Sequence, residues 1–245
     1  MPLELVQQFF PDITPRQQAQ LEHLALLFRE WNDKINLVSR KDIDQWEEHH
    51  LLHSLALAKV AQWPERARVL DVGTGGGLPG LPLAILFPEV QFFLCDSVAK
   101  KIQAVADMAE RLKLKNVQAV NKRAEQLESK WEFVTGRAVT ALPNFLPWVV
   151  DNIRPGGVEG FPNGVLYLKG SLYKDELEAL GVEPYAVYDL HTLFPRDYFQ
   201  EKYLVHLDTA TLAKQVQPWE DPQEVARKAK RAAKTARKQG RPPRR

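Results

Sequence analysis

Residues 68–80 read Arg-Val-Leu-Asp-Val-Gly-Thr-Gly-Gly-Gly-Leu-Pro-Gly, and their types and spacing suit the binding of a small ligand. An apolar run (Val69, Leu70, Val72) carries one acid, Asp71, and stops at Gly73; Gly75, Gly76, Gly77 and Gly80 follow. The pattern predicts a buried strand, a glycine loop and the start of a helix. Glycine reaches positive φ at little cost and lets a ligand lie against bare backbone. The free N–H groups of the next helix, with the positive end of its dipole, suit an anionic group. Pro79 and Pro82 are compatible with a helix start, where there is no intrahelical N–H bond to lose.

Gly75, Gly77 and Gly80 also spell the dinucleotide fingerprint G-x-G-x-x-G. Two acids point to a different ligand. Asp71, at the end of its strand, is expected to face the ligand, where it would repel a pyrophosphate and attract a cation. Asp96 closes the next strand 23 residues after Gly73, a spacing that suits an acid accepting hydrogen bonds from ribose hydroxyls. A nucleoside that also carries an amino group and a sulfonium fits both acids, which favours S-adenosylmethionine. A nucleotide-binding oxidoreductase, a methyltransferase for another RNA position or a small molecule, and a non-catalytic RNA-binding assembly factor remain alternatives.

A chain of 245 residues can build one large α/β domain, or one domain with a cap. A single cysteine, Cys95, excludes a disulfide framework and suits a reducing compartment. The N-terminus lacks the basic start of a signal peptide and no stretch approaches a membrane span, so a cytoplasmic monomer with no membrane partner is expected. The net charge of +2 hides an asymmetry. From Arg227 to Arg245 there are ten Lys/Arg and no acids, which leaves 23 bases against 31 acids in residues 1–226. Such a tail points to nucleic acid.

Strand patterns fall at 68–72, 91–95, 117–121, 131–135, 165–168, 185–190 and 202–207. Helical patterns fall at 3–10, from Thr14 to Trp31, and at 43–60, 78–87, 98–113, 139–152 and 171–180. In the 98–113 segment Val98, Ile102, Val105, Ala109 and Leu112 keep a helical spacing. Alternating strands and helices imply a mostly parallel sheet covered on both faces, a Rossmann-like α/β fold. The last two strands lack a long helix between them and predict an antiparallel edge; 155–164 reads as a loop. Residues 1–62 are expected to form a helical cap, 63–210 the ligand-binding core, and 211–245 a basic tail without an apolar stripe, disordered alone.

Several motifs in order resemble one family: Trp31-Asn-Asp-Lys-Ile-Asn36-Leu37, His50-Leu-Leu-His53-Ser-Leu, the glycine loop, Asp96-Ser97-Val-Ala-Lys100-Lys101, Arg123-Ala124-Glu125, Gly136-Arg137-Ala138 and Lys169-Gly170. From about residue 20 to 207 the chain is similar to the RsmG (GidB) family of bacterial small-subunit ribosomal RNA guanine-N7 methyltransferases. The resemblance implies a class I methyltransferase fold with a seven-stranded sheet. It also implies cofactor contacts at Gly73, Leu78, Ala124, Glu125 and Arg137, with Asp96 and Ser97 near the ribose; the reading of the loop itself adds Asp71, Gly75 and Gly77 as candidate contacts. The family usually has an aromatic at Leu78, aspartate at His53 and serine at Gly136.

Methyl transfer to guanine N7 is an in-line attack by a free lone pair, so it needs positioning and no general base. A cysteine adduct, as in pyrimidine C5 methylation, would have to use Cys95, which reads as a buried strand residue. Arg137 and Lys169, each at a strand end, are the candidate catalytic residues; Lys169 is also a candidate phosphate or base-edge contact. Asn36, Lys100, Lys101, Arg227, Lys228, Lys230 and Arg231 are the other expected RNA contacts. His49 and His53 lie four residues apart but lack a zincin glutamate or a nearby Cys/Asp cluster, so no metal is expected. His50 is expected to pack or hydrogen-bond at the seam between cap and core.

Overall fold

The computed structural model describes residues 3–39 and 41–227. Its centre is a seven-stranded sheet in the order β3-β2-β1-β4-β7-β9-β8. The strands are β1 (Arg68–Val72), β2 (Gln91–Asp96), β3 (Val117–Asn121), β4 (Phe133–Arg137), β7 (Gly164–Gly170), β8 (Ala186–Asp189) and β9 (Lys202–Asp208). Two-residue strands β5 (Gly157–Val158) and β6 (Phe161–Pro162) form a small hairpin inside the expected 155–164 loop. The first five strands of the sheet run parallel, and β9 runs antiparallel to both β7 and β8. The central parallel strands β1, β4 and β7 are buried on both faces, and β1 and β7 carry the apolar runs that go with this (Val69, Leu70 and Val72; Val165 to Leu168).

On one side of the sheet lie α1 (Glu4–Phe9), α2 (Pro15–Ile35), α4 (Gly80–Leu86) and α5 (Ala99–Arg111). α2 starts in a capping box. The Gln17 N–H donates to Thr14 Oγ1 (3.2 Å), and the Thr14 N–H donates back to Gln17 Oε1 (3.0 Å). The Gln17 amide also donates to the Ile85 and Leu86 carbonyls, fixing the start of α2 to the end of α4. Leu21, Leu24, Leu27 and Phe28 of α2 join sheet residues such as Phe92 and Leu94 in one apolar cluster. A second cluster on the other side takes in α6 (Leu142–Val149), α7 (Tyr173–Leu180) and α9 (Thr209–Gln215).

Residues 43–59 form one helical run of changing pitch. Its ends are 3-10 turns (Ile43–Gln45 and Ala56–Lys59), its middle a π-helix (Trp46–Leu52), joined by the short α3 (His53–Leu55). π segments are rare and often mark functional sites; this one carries His49 and His50.

Two sequence expectations shift. β4 begins two residues later than expected, because Trp131 makes an isolated bridge with Ile153 instead of joining the ladder. The register carries Gly136 and Arg137 into the strand, opposite Tyr167 and Leu168. α6 starts at Leu142, since the Tyr167 hydroxyl holds 139–140 in an open loop, accepting from the Val139 and Thr140 N–H groups and donating to the Thr140 carbonyl. At the far edge the expected antiparallel pair forms, with β9 lying between β7 and the edge strand β8.

Candidate cofactor and base cleft

Above the C-terminal ends of β1, β2, β4 and β7, three adjoining cavities form one cleft. The first, about 310 Å³, is lined by Gly73, Asp96, Ser97, Ala124 and Glu125, with Trp148 from α6. The second, about 340 Å³, takes in Gly73–Gly76, Leu78, His50, His53 and Arg137. The third, about 550 Å³, is lined by Arg137, Tyr167, Lys169 and Lys202. Gly73 belongs to the first two, Arg137 to the last two, and Ala138 to all three.

The glycine loop is held from below by Asp71, which is fully buried. Asp71 Oδ2 accepts from Thr74 Oγ1 (2.6 Å) and the Gly80 N–H (3.1 Å), and Oδ1 accepts from Thr135 Oγ1 (3.1 Å). Burial pushes its carboxyl up to about 6, against the pull of these bonds. Asp71 therefore does not face a ligand: its oxygens tie β1, the loop and the start of α4 together. Gly77 is a second correction. At φ 86° it needs glycine, and a Cβ there would lie 2.4 Å from Leu81 Cδ1, but it lines none of the three cavities. Its bareness serves the packing of loop on α4. Gly73 and Gly75, at φ 64° and 57°, do line the cleft.

Asp96 is nine-tenths buried at the end of β2. It accepts from the Gly75 N–H (3.1 Å) and the Val98 N–H (2.8 Å), which joins the loop to the approach to α5. A carboxylate offers about four lone-pair sites, so capacity remains for a ligand in the first cavity. Lys101 Nζ lies 3.9 Å from Asp96 Oδ2 and lines the first and second cavities, which gives a first-turn cation of α5 a local partner. Lys100 is exposed and lines none of the three cavities. Asn36 ends α2 in a left-handed conformation, φ 49°, and is likewise outside the cleft.

Arg137 is half-buried between the second and third cavities. Its Nη1 donates to the His49 carbonyl at 3.4 Å, and among the described residues no carboxylate lies within 4.0 Å of it. A guanidinium with so little protein pairing is fitted to an anionic ligand group. Lys169 has the opposite character. Its ammonium donates to Glu176 Oε1 at 2.7 Å with 12% of the side chain exposed, and Glu176 Oε2 accepts from the Leu142 N–H (2.7 Å) at the start of α6. The expected free cation is thus a brace between β7, α7 and α6, because Glu176 reaches it first.

The described residues contain no group of three or more His, Cys, Asp or Glu side chains placed to hold a metal. No helix among them is long and apolar enough to cross a membrane. Cys95 is buried in β2, its thiol donating to the Lys122 carbonyl and pushed up to about 11 by burial. Arg227 is exposed; Lys228, Lys230 and Arg231 lie outside the described residues.

The model of the family described as rRNA small subunit methyltransferase G matches residues 17–193. The chain belongs to this family. A relative from Flavobacterium johnsoniae, named ribosomal RNA small subunit methyltransferase G, is 44% identical over 84% of this chain and 97% of its own length. One of the same name from Flavobacterium psychrophilum is 46% identical over the same shares. Among solved structures, a SAM-dependent methyltransferase from Aquifex aeolicus shares the fold, with a TM-score of 0.50, 14% identity, and 69% of this chain and 97% of that one covered.

Set against this family's expected contacts, Gly73, Leu78, Ala124, Glu125 and Arg137 come from three separate elements and all line the cleft. Sequence reasoning missed Trp148, Tyr198 and Lys202. Tyr198 stacks on His49 with ring centroids 3.9 Å apart, and Lys202 Nζ sits 4.0 Å above the Tyr198 ring. These residues lie far from the loop in sequence and carry no motif, so only the tertiary fold brings them in.

Proposed function

We propose that the protein transfers the methyl group of S-adenosylmethionine to N7 of a guanine in small-subunit ribosomal RNA. The observation that carries this reading is the continuity of the three cavities at Gly73, Arg137 and Ala138, in a chain of this family. The names of its relatives support the RNA class. In this reading Asp96, with Ser97 beside it, takes the ribose in the first cavity, where Ala124, Glu125 and Trp148 supply the walls. Arg137 takes the carboxylate in the second, and the third receives the target base.

When bound, S-adenosylmethionine supplies an electrophilic methyl group on a cationic sulfur. The chain's own task is to hold the acceptor in line, an entropic contribution that intramolecular models put at several kcal/mol, roughly 7–11 at best. Guanine N7 attacks with a lone pair it already has, so no side chain has to remove a proton from it. The test incubates the full chain with small-subunit ribosomal RNA, as free RNA and within the subunit, and labelled S-adenosylmethionine, followed by mass mapping of the modified nucleotides. The expected product is one N7-methylguanosine. Label on another atom overturns the N7 assignment, and no transfer to either substrate overturns the reading.

A further inference from the structure

His50 and His53 stand on the 43–59 run with three ring nitrogens, both of His50 and Nε2 of His53, that no protein group meets. His50 is 8% exposed, lines the second cavity, and neither Nδ1 nor Nε2 has a hydrogen-bond partner. His53 lines the second and third cavities, and its Nε2 is buried and unpartnered. Buried polar atoms without partners cost stability and are uncommon in native proteins. Of the seven such atoms among the described residues, the three on His50 and His53 belong to residues that line this cleft.

The bonding fixes what His53 offers. The Tyr198 hydroxyl spends its one hydrogen on the His49 carbonyl (3.0 Å), so its oxygen is left to accept from His53 Nδ1–H at 3.4 Å. Nε2 then carries a bare lone pair. A neutral His50 has one bare nitrogen in either tautomer. Both rings stay neutral near pH 7, because burial and the nearby Arg137 charge oppose protonation, with His50 pushed down to about 4.

The second cavity also holds two cations, Lys101, whose ammonium has Asp96 3.9 Å away, and Arg137, which has no carboxylate partner among the described residues, so its lining sets one unpaired strong donor beside the two histidine acceptors. That is the complement of a zwitterion, a carboxylate beside an ammonium. Asp71, the buried acid beneath the loop, already has both oxygens engaged and leaves the ammonium to other acceptors. A ligand with its ribose at Asp96 passes Gly73, which the first and second cavities share, and brings its amino-acid end to these residues. His50 does not line the third cavity, which separates it from the target base.

We propose that His50 and His53 accept hydrogen bonds from the α-ammonium of S-adenosylmethionine and, with Arg137, form a clamp for the amino-acid end of the cofactor; this rests on the cofactor reading above. The test is calorimetric titration of the full chain with three ligands: S-adenosylmethionine, its decarboxylated form, which keeps the amine, and 5′-methylthioadenosine, which has neither charged group. Replacement by leucine removes the acceptor at similar volume to asparagine, which keeps one. His50→Leu and His53→Leu are each expected to weaken both amine-bearing ligands about tenfold, with methylthioadenosine held within about twofold. His50→Asn and His53→Asn recover most of that loss. Arg137→Ala weakens S-adenosylmethionine but not the decarboxylated form. Equal losses for all three ligands, or unchanged affinity for the amines, overturn the clamp while leaving the cofactor reading in place. Failure of the unaltered chain to bind any of the three overturns the cofactor reading itself and the clamp with it.

Discussion

Asp71 lies buried beneath the glycine loop and His50 lines the second cavity, and burial moves their proton affinities in opposite directions, up to about 6 for the acid and down to about 4 for the imidazole. The consequences for stability have opposite signs. The folded state holds a proton on Asp71 more tightly than the unfolded chain does, so this group favours folding as the pH falls from about 6 to 3.8. The unfolded chain protonates His50 more readily, so stability is lost as the pH falls from 6.5 to about 4. The two windows overlap and partly cancel. Asp71→Asn is expected to steepen the loss of stability between pH 6.5 and 4, and His50→Gln to flatten it, each by on the order of 3 kcal/mol across the window. Urea midpoints at half-unit pH steps measure this; curves parallel to that of the unaltered chain would refute it. At this scale the sequence marked Asp96, Gly73 and Arg137 by position in a motif, but misjudged Asp71. An acid at a strand end reads the same whether it meets a ligand or the hydroxyls of Thr74 and Thr135, and Thr135 is far away in sequence.

Among the elements, the brace at Glu176 shows how a helix start, a strand end and a neighbouring helix depend on one side chain. Glu176 pairs with Lys169 and also accepts the Leu142 N–H, one of the donors a helix start leaves without an intrahelical partner. Glu176→Ala removes both bonds and leaves a half-buried ammonium unpaired, at an expected cost of roughly 2–3 kcal/mol. Lys169→Met removes one bond and no capping, at roughly 1 kcal/mol. If chemical denaturation finds the two equal, Glu176 does not serve α6. Elements with local signals were legible: the helix starting at Thr14, the apolar spacing of α5, and the strand–loop–helix of residues 68–86. What was not legible depends on partners distant in sequence. The Tyr167 hydroxyl delays α6, and Trp131 bridges Ile153 and postpones β4. The changing pitch of 43–59 has no counterpart in residue periodicity, and it is the run that carries the unpartnered histidines.

For the whole molecule the governing feature is charge. Residues 1–226 hold eight more acids than bases, so the body on its own repels a polyanion at long range, while the final nineteen residues carry ten cations and no acid. On the proposed reading the cleft positions a base only after that repulsion is overcome, and the tail is the segment whose charge would do so. Cations that displace condensed counterions from phosphates make binding fall with salt, by about 0.9 in log–log slope for each phosphate contact on a duplex and about 0.7 on a single strand. Removing 227–245 is therefore expected to weaken binding of ribosomal RNA most at low salt, and to reduce the slope by about 2–5 for the loss of several contacts. The curves of full and shortened chains should converge as salt rises, and S-adenosylmethionine affinity, set inside the cleft, should not change. Filter binding across a salt series measures the first effect and calorimetry the second. Parallel salt plots would mean that the tail touches no phosphate and that the acidic body finds its substrate through contacts of its own. A loss of cofactor affinity would mean that the tail reaches the cleft, and the separation of substrate capture from cofactor binding would fail.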